Sequence, residues 1–172
     1  MSVGFLKSIN NVMYMVFVFP LNTANFVIGD EDENDLEGSA NSDFIAGYGG
    51  NDILSGSAGD DILDGGEGID VAVFNQQRSQ FLLTKQASGY RISGSETDDS
   101  DSIRNIERLA FIDKNVALDL DGHAGEAVKT LGAFLGAEES TNPALVGLAL
   151  SLLDAGMTYD ELLQATIDFI FG

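Results

Sequence analysis

The chain is 172 residues long, enough for one or two small domains, and carries 28 acidic against 8 basic residues for a formal net charge of −20. Such a balance excludes nucleic acid as a partner, makes membrane insertion unfavourable, and favours cations. The absence of cysteine excludes disulfides and thiolate metal sites.

Residues 1–28 are apolar. Val12–Phe19 is an unbroken run after Lys7, shorter than a membrane span and interrupted by Pro20. Asn22 and Ala24 make a poor small-x-small cleavage pair. The segment is expected to be a leader, or a cap over the open end of the next unit with Phe26 and Ile28 leading into its first turn. A third reading is the remnant of a longer upstream polypeptide.

Residues 29–73 repeat with a period of nine: Gly29–Glu37, Gly38–Ala46, Gly47–Ser55, Gly56–Asp64 and Gly65–Val73. Asp43, Asp52, Asp61 and Asp70 share the sixth position, with Ile45, Leu54, Leu63 and Ala72 two residues later. The spacing predicts one carboxylate per glycine-rich turn and one inward apolar side chain per following strand. Asn34 replaces the aspartate of the first unit, while Asp32 and Asn41 replace the glycine of the fourth position. Asp and Asn tolerate a left-handed backbone better than most residues, so those turns are expected to survive with strain. Position seven holds Phe44, Ile53, Ile62 and Val71, an outer apolar stripe that residues 74–120 are expected to cover on one sheet.

No Lys or Arg lies between Lys7 and Arg78, whereas residues 29–70 contain thirteen acids and ten glycines. That stretch repels itself and is costly to order, so cation binding is expected to supply its folding free energy. A solvated linker has no reason to hold aspartate at one phase of nine. An EF-hand fails because Asp35 stands where its glycine belongs and Asn41 where its glutamate belongs. The thirteen acids also argue against a phosphate cradle.

The nonapeptides resemble those of the RTX, or hemolysin-type calcium-binding, family of bacterial secreted proteins. The resemblance implies a parallel β-roll in which two repeats complete one coil and calcium sits between repeats two apart. It implies that Asp43 shares an ion with Asp61, and Asp52 with Asp70, with Asn34 and Asp52 forming a poorer third site. Backbone carbonyls of the turns, with Gly47, Gly56 and Gly65 as candidates, would complete each oxygen shell. It further implies type I secretion, an extracellular or cell-surface location, and folding on calcium outside the cell.

Past the repeats, residues 74–121 show short alternating runs and are expected to form a β-rich capping region. Asp101-Ser102-Ile103 followed by Ile106-Glu107-Arg108-Leu109-Ala110-Phe111-Ile112-Asp113 resembles the segment that commonly closes RTX arrays. Residues 122–172 turn helical. Val128, Leu131, Phe134 and Leu135 form one stripe, and Asn142-Pro143 opens a second helix with Leu145, Leu148, Leu152 and Leu153 on one face. Gly156 ends that helix, and a capping box from Thr158 to Glu161 opens a third. These helices resemble a helical domain of unknown function that often follows RTX repeats. The resemblance also implies an export signal in the acidic then apolar end Asp168–Gly172.

The expected fold is therefore mainly β with a C-terminal α part: a parallel β-roll, a β cap and a small three-helix domain. His123 is the lone histidine, placed where helix capping or exposure explains it. Neither H-E-x-x-H nor G-x-S-x-G occurs. The expected function is a calcium-binding RTX module and not an enzyme. The alternative is the C-terminal part of a secreted protease, lipase or hemolysin whose active domain is not in this chain.

Overall fold

The computed structural model describes residues 5–9, 12–16, 25–95 and 99–171. Strands β1 (Phe5–Ile9) and β2 (Val12–Val16) form an antiparallel hairpin with Phe5 opposite Val16. Pro20, Asn22 and Ala24, on which the leader reading turned, lie outside the described residues.

Two facing sheets grow from the nonapeptides. β3 (Phe26–Ile28), β5 (Phe44–Gly49) and β7 (Ile62–Glu67) pair in parallel, with Val27, Ile45 and Leu63 in register. β4 (Asp35–Glu37), β6 (Ile53–Ser55) and β8 (Val71–Phe74) do the same through Leu36, Leu54 and Ala72. Successive repeats thus alternate between sheets, and neighbours within a sheet are eighteen residues apart. The alternation follows from the sequence. Each glycine-rich turn reverses the chain, and the following three-residue strand has one side chain to point inward. Ile45, Leu54, Leu63 and Ala72 are fully buried between the sheets.

Both sheets continue past the repeats. β9 (Phe81–Gln86) and β10 (Gly89–Gly94) form a hairpin, and β11 (Ser100–Arg104) joins it to β7 by parallel pairing of Ile103 with Leu63. β12 (Arg108–Phe111) pairs in parallel with β8, Leu109 beside Ala72, and β13 (Asn115–Ala117) closes that edge. Phe74, Phe81 and Phe111 pack with ring centroids 5.3–5.4 Å apart, filling the end of the roll beside Ile92, Ile103 and Ile106.

Residues 74–120 therefore lengthen the sheets edge-on and leave Ile53 and Ile62 of the outer stripe uncovered, correcting that expectation. Ile53 and Ile62 remain 44% and 43% exposed. Phe44 instead packs against Phe26, with the Arg104 guanidinium 5.9 Å from its ring centre.

Helices α1 (His123–Leu135), α2 (Pro143–Asp154) and α3 (Tyr159–Phe171) follow. Asn142 caps α2 by accepting the Ala144 N–H at 3.1 Å, and Gly156 ends it with φ of +94°. The capping box forms: Thr158 N–H and Oγ1–H donate to Glu161 Oε2, and Glu161 N–H donates to Thr158 Oγ1. The helical core is Ala127, Leu131, Ala149, Leu153 and Leu162. Val128 and Leu148, expected inside, are 40% and 58% exposed, while the smaller Ala127 and Ala149 beside them are buried with Leu131 and Leu153. Among the described residues no helix is long and apolar enough to cross a membrane.

Candidate metal centre

Two rows of side chains run along the roll, one on each side, where turns give way to strands. In the first row Asn25 N–H donates to Asp43 Oδ1 at 3.1 Å, Asp43 N–H to Asp61 Oδ1 at 2.8 Å, and Asp61 N–H to Asp101 Oδ1 at 3.0 Å. In the second, Asn34 N–H donates to Asp52 Oδ1 and Asp52 N–H to Asp70 Oδ1, both at 2.8 Å, and Asp70 N–H donates to Glu107 Oε2 at 2.9 Å. Each predicted pair, Asp43 with Asp61, Asp52 with Asp70 and Asn34 with Asp52, is brought together on adjacent coils.

One oxygen of each carboxylate is thereby used to hold the coil. The other points back toward the first glycine of its own repeat. A methyl group at Gly47 would lie 2.0 Å from Asp52 Oδ2 and 2.5 Å from the carbonyl oxygen of Gly65. At Gly38 it would meet the Gly56 carbonyl at 2.6 Å and Asp43 Oδ2 at 2.7 Å; at Gly29, Asn34 Oδ1 at 2.1 Å and the Gly47 carbonyl at 2.7 Å. Gly29, Gly38 and Gly47 each face a recess shared by a carboxylate or amide oxygen and a main-chain carbonyl one coil on, whereas at Gly56 the nearest atoms all belong to Asp61. The recess exists only because no Cβ fills it. The carbonyls of Gly47, Gly56 and Gly65 lie at the recesses of Gly29, Gly38 and Gly47.

Asp43, Asp52, Asp61 and Asp70 are all at most 3% exposed, and Oδ2 of Asp52, Asp61 and Asp70 is buried with no hydrogen-bond donor. A buried carboxylate oxygen without a donor costs several kcal/mol unless a cation faces it, roughly the penalty of an unpaired ionic group. Electrostatics reports the same deficit. Burial, reinforced by neighbouring carboxylates, pushes Asp61 and Asp70 up to about 6 and Asp101 to about 7. Glu107 is also raised by burial. At Asp43 burial pushes upward too, but hydrogen bonds from Ser39 and Asn25 outweigh it and hold the carboxyl below its usual range.

The donor set fits a hard divalent cation. All candidate ligands are oxygens, from side-chain carboxylates and amide and from backbone carbonyls, as calcium prefers, and no thiolate or imidazole stands in either row. Among the described residues no three acidic or histidine side chains converge on one point. The carboxylates run in single file, so main-chain carbonyls must share the ligation. His123 lies elsewhere, its Nδ1 2.7 Å from Asp154 Oδ1 at the start of α1.

Strain falls where the sequence did not place it. Asp32 and Asn41 avoid the left-handed region; their turns are held by side chains, Asp32 N–H donating to Asp30 Oδ1 and Asn41 N–H to Ser39 Oγ. Tyr48 and Ser57, in the second position of their repeats, carry φ of +78° and +73° where the last repeat has Gly66 at +109°.

Sequence reasoning missed three members of the rows. Asn25 is the sixth position of a half-unit whose turn glycines are absent. Asp101-x-Ile103 repeats the aspartate-x-aliphatic signature and Glu107-x-Leu109 its glutamate counterpart, but they stand off the nine-residue phase after an intervening hairpin, six residues apart from each other.

The family profile of the RTX calcium-binding nonapeptide repeat matches residues 37–72 in four copies. No curated protein matches the chain. Among solved structures, the chain is similar to the crystal structure of the extracellular lipase LipA from Serratia marcescens, at 18% identity and a TM-score of 0.49. That similarity covers 52% of this chain and 14% of the lipase chain. Residues 37–72 are thus RTX calcium-binding nonapeptide repeats, and the parallel β-roll they build is the core of this protein.

Proposed function

We propose that the chain is a calcium-responsive binding module of a bacterial protein exported unfolded by type I secretion, which folds once calcium is encountered outside the cell. The observation that carries this reading is the set of buried, donor-less Oδ2 atoms of Asp52, Asp61 and Asp70, of which those of Asp52 and Asp70 share glycine recesses with the Gly65 and Asn105 carbonyls. Bound calcium supplies the positive charge that lets adjacent coils stack. Asp43 with Asp61 and Asp52 with Asp70 would hold it, with carbonyls of Gly56 and Gly65 beside them; Asn34 with Asp52, beside the Gly47 carbonyl, is the weaker pair because it brings one carboxylate in place of two. An extracellular-type site with a Kd of about 0.1 mM contributes about 1.4 kcal/mol at roughly 1 mM calcium. Several such contributions suffice to decide folding of a roll whose core is one aliphatic residue per repeat.

On this reading the module is a binding and folding device and not an enzyme: the buried carboxylates of the repeats serve the rows. Where it forms the tail of a secreted enzyme or toxin, that activity belongs to another part of the polypeptide. Far-UV circular dichroism during calcium titration of the chelated chain tests the reading. Strand signal should appear cooperatively with calcium and much less with magnesium, whose small octahedral shell suits these recesses poorly. A spectrum that is fully native after exhaustive chelation would overturn it.

A further inference from the structure

The rows do not stop where the repeats do. In the second row Glu107 occupies the rung that a sixth-position aspartate would hold, accepting the Asp70 N–H just as Asp70 accepts that of Asp52. The recess at Gly65 is completed in the same way. A methyl group there would lie 2.3 Å from Asp70 Oδ2 and 2.1 Å from the Asn105 carbonyl, which stands in for the glycine carbonyl of the interior recesses. Asn105 turns its carbonyl there through a left-handed backbone, φ of +48°, with its side-chain amide donating to Asp64 Oδ1 at 2.7 Å. Asp70 is fully buried and its Oδ2, aimed into this recess, has no donor. In the first row Asp101 takes the corresponding rung over Asp61, whose Oδ2 is likewise buried and donor-less.

We infer that residues 101–107, which are not nonapeptide sequence, supply the closing ligands of both rows, with Glu107 and the Asn105 carbonyl completing a calcium site on Asp70 and Asp101 completing one on Asp61. The inference rests on the calcium reading above. It raises the number of two-carboxylate pairs from two to four, adding Asp61 with Asp101 and Asp70 with Glu107. Ligand charge count sets affinity in such sites, so both closing pairs outrank Asn34 with Asp52. It also gives calcium a role in joining the repeats to the cap, because each closing site takes ligands from both.

Native mass spectrometry and calcium-titrated circular dichroism of the full chain test this with Glu107→Gln and Asp101→Asn. Each amide keeps an oxygen to accept the rung hydrogen bond, while it removes the charge and replaces the second oxygen with an NH2 that cannot ligate calcium. Each variant should retain one ion fewer than the wild type and require about tenfold more calcium to fold. Glu67→Gln, an exposed acid off the rows, should change neither readout. A wild-type chain that retains no calcium sinks the functional reading itself. A wild type that binds, with Glu107→Gln and Asp101→Asn matching it in ion count and midpoint, overturns only the closing-ligand assignment. If Glu107→Gln fails to fold at any calcium concentration, Glu107→Asp decides: recovery with the full ion count supports ligation, and failure of this charged variant as well overturns it.

Discussion

Asp70 accepts the backbone N–H of Asp52 at 2.8 Å with one carboxylate oxygen and leaves the other buried without a donor. The two halves of one side chain thus do different things. Oδ1 fixes the spacing of adjacent coils, and Oδ2 is held in readiness beside a carbonyl. Asp52 stands in the middle of this row, between Asn34 and Asp70, so it belongs to two pairs.

Asp52→Asn should therefore be more damaging than Asp43→Asn, because Asp43 belongs to a single pair. It preserves the hydrogen bond from Asn34 and halves or abolishes the carboxylate count of two pairs. The calcium midpoint for folding should rise at least about tenfold, equivalent to about 1.4 kcal/mol. Titration monitored by circular dichroism checks this, with Asp60→Asn, an exposed fifth-position neighbour, shifting the midpoint far less.

Glycine substitutions should separate recess from scaffold. Gly47→Ala puts a methyl group 2.0 Å from Asp52 Oδ2 and should cost about 1–3 kcal/mol in the calcium-loaded state while weakening binding. Gly147 in α2 has nothing within 4 Å of an added Cβ, and Gly147→Ala should stabilise by about 0.5–1 kcal/mol through helix propensity. Urea unfolding in saturating calcium measures both.

The pH dependence should have opposite signs with and without calcium. In the folded roll Asp61 and Asp70 titrate at about 6 and Asp101 at about 7, all above the ordinary 3.8. A raised carboxyl pKa means that the folded state holds protons the unfolded state has released. The associated stability is fully present below the unfolded value and is lost as pH rises through the folded values. The chelated chain should accordingly be more ordered near pH 5 than near pH 8. Calcium affinity should fall over the same acidification, since protons and calcium compete for the same oxygens. A chelated chain whose order is flat or rising from pH 5 to pH 8 would contradict the deficit of positive charge in the rows.

The parts of the fold legible in the sequence are those governed by strict periods. Phase nine identified Ile45, Leu54, Leu63 and Ala72 as core and Asp43, Asp52, Asp61 and Asp70 as one per turn, because both inward pointing and turn position are fixed by local geometry. Caps at Asn142, Thr158 and Gly156 were legible for the same reason. Asp101 and Glu107 were not, since their membership depends on parallel pairing with β7 and β8 across a hairpin, a non-local fact without period. The turn strain was misplaced because side-chain hydrogen bonds at Asp30 and Ser39 replaced the left-handed residue that the nonapeptide pattern implies. The outer stripe was misread because a strand's alternation says which residues point outward and not whether anything covers them.

Arg108 shows how the helical part is tied to the roll. It lies in register with Val71 on β12, so its side chain leaves the outer face, and it is 8% exposed. Its guanidinium donates to the Glu107 carbonyl at 2.9 Å, to Asp119, and through Nε and NH2 to both oxygens of Asp154 on α2, at 3.0 and 2.6 Å. His123 adds a contact to the same Asp154 oxygen. A bidentate guanidinium buried between two carboxylates cannot be removed cheaply, because Asp119 and Asp154 would lose the cation they share. Arg108→Met should cost about 3–5 kcal/mol and loosen α1 and α2 from the roll, exposing the 118–122 connection to protease. Arg104, whose partner Asp64 is 2.9 Å away but whose own side chain is 45% exposed, offers the contrast: Arg104→Met should cost about 0–1 kcal/mol. Limited proteolysis with calcium present reads the difference. Equal protection of the 118–122 connection in both variants would show that apolar packing, and not the Arg108 cluster, holds the helices in place.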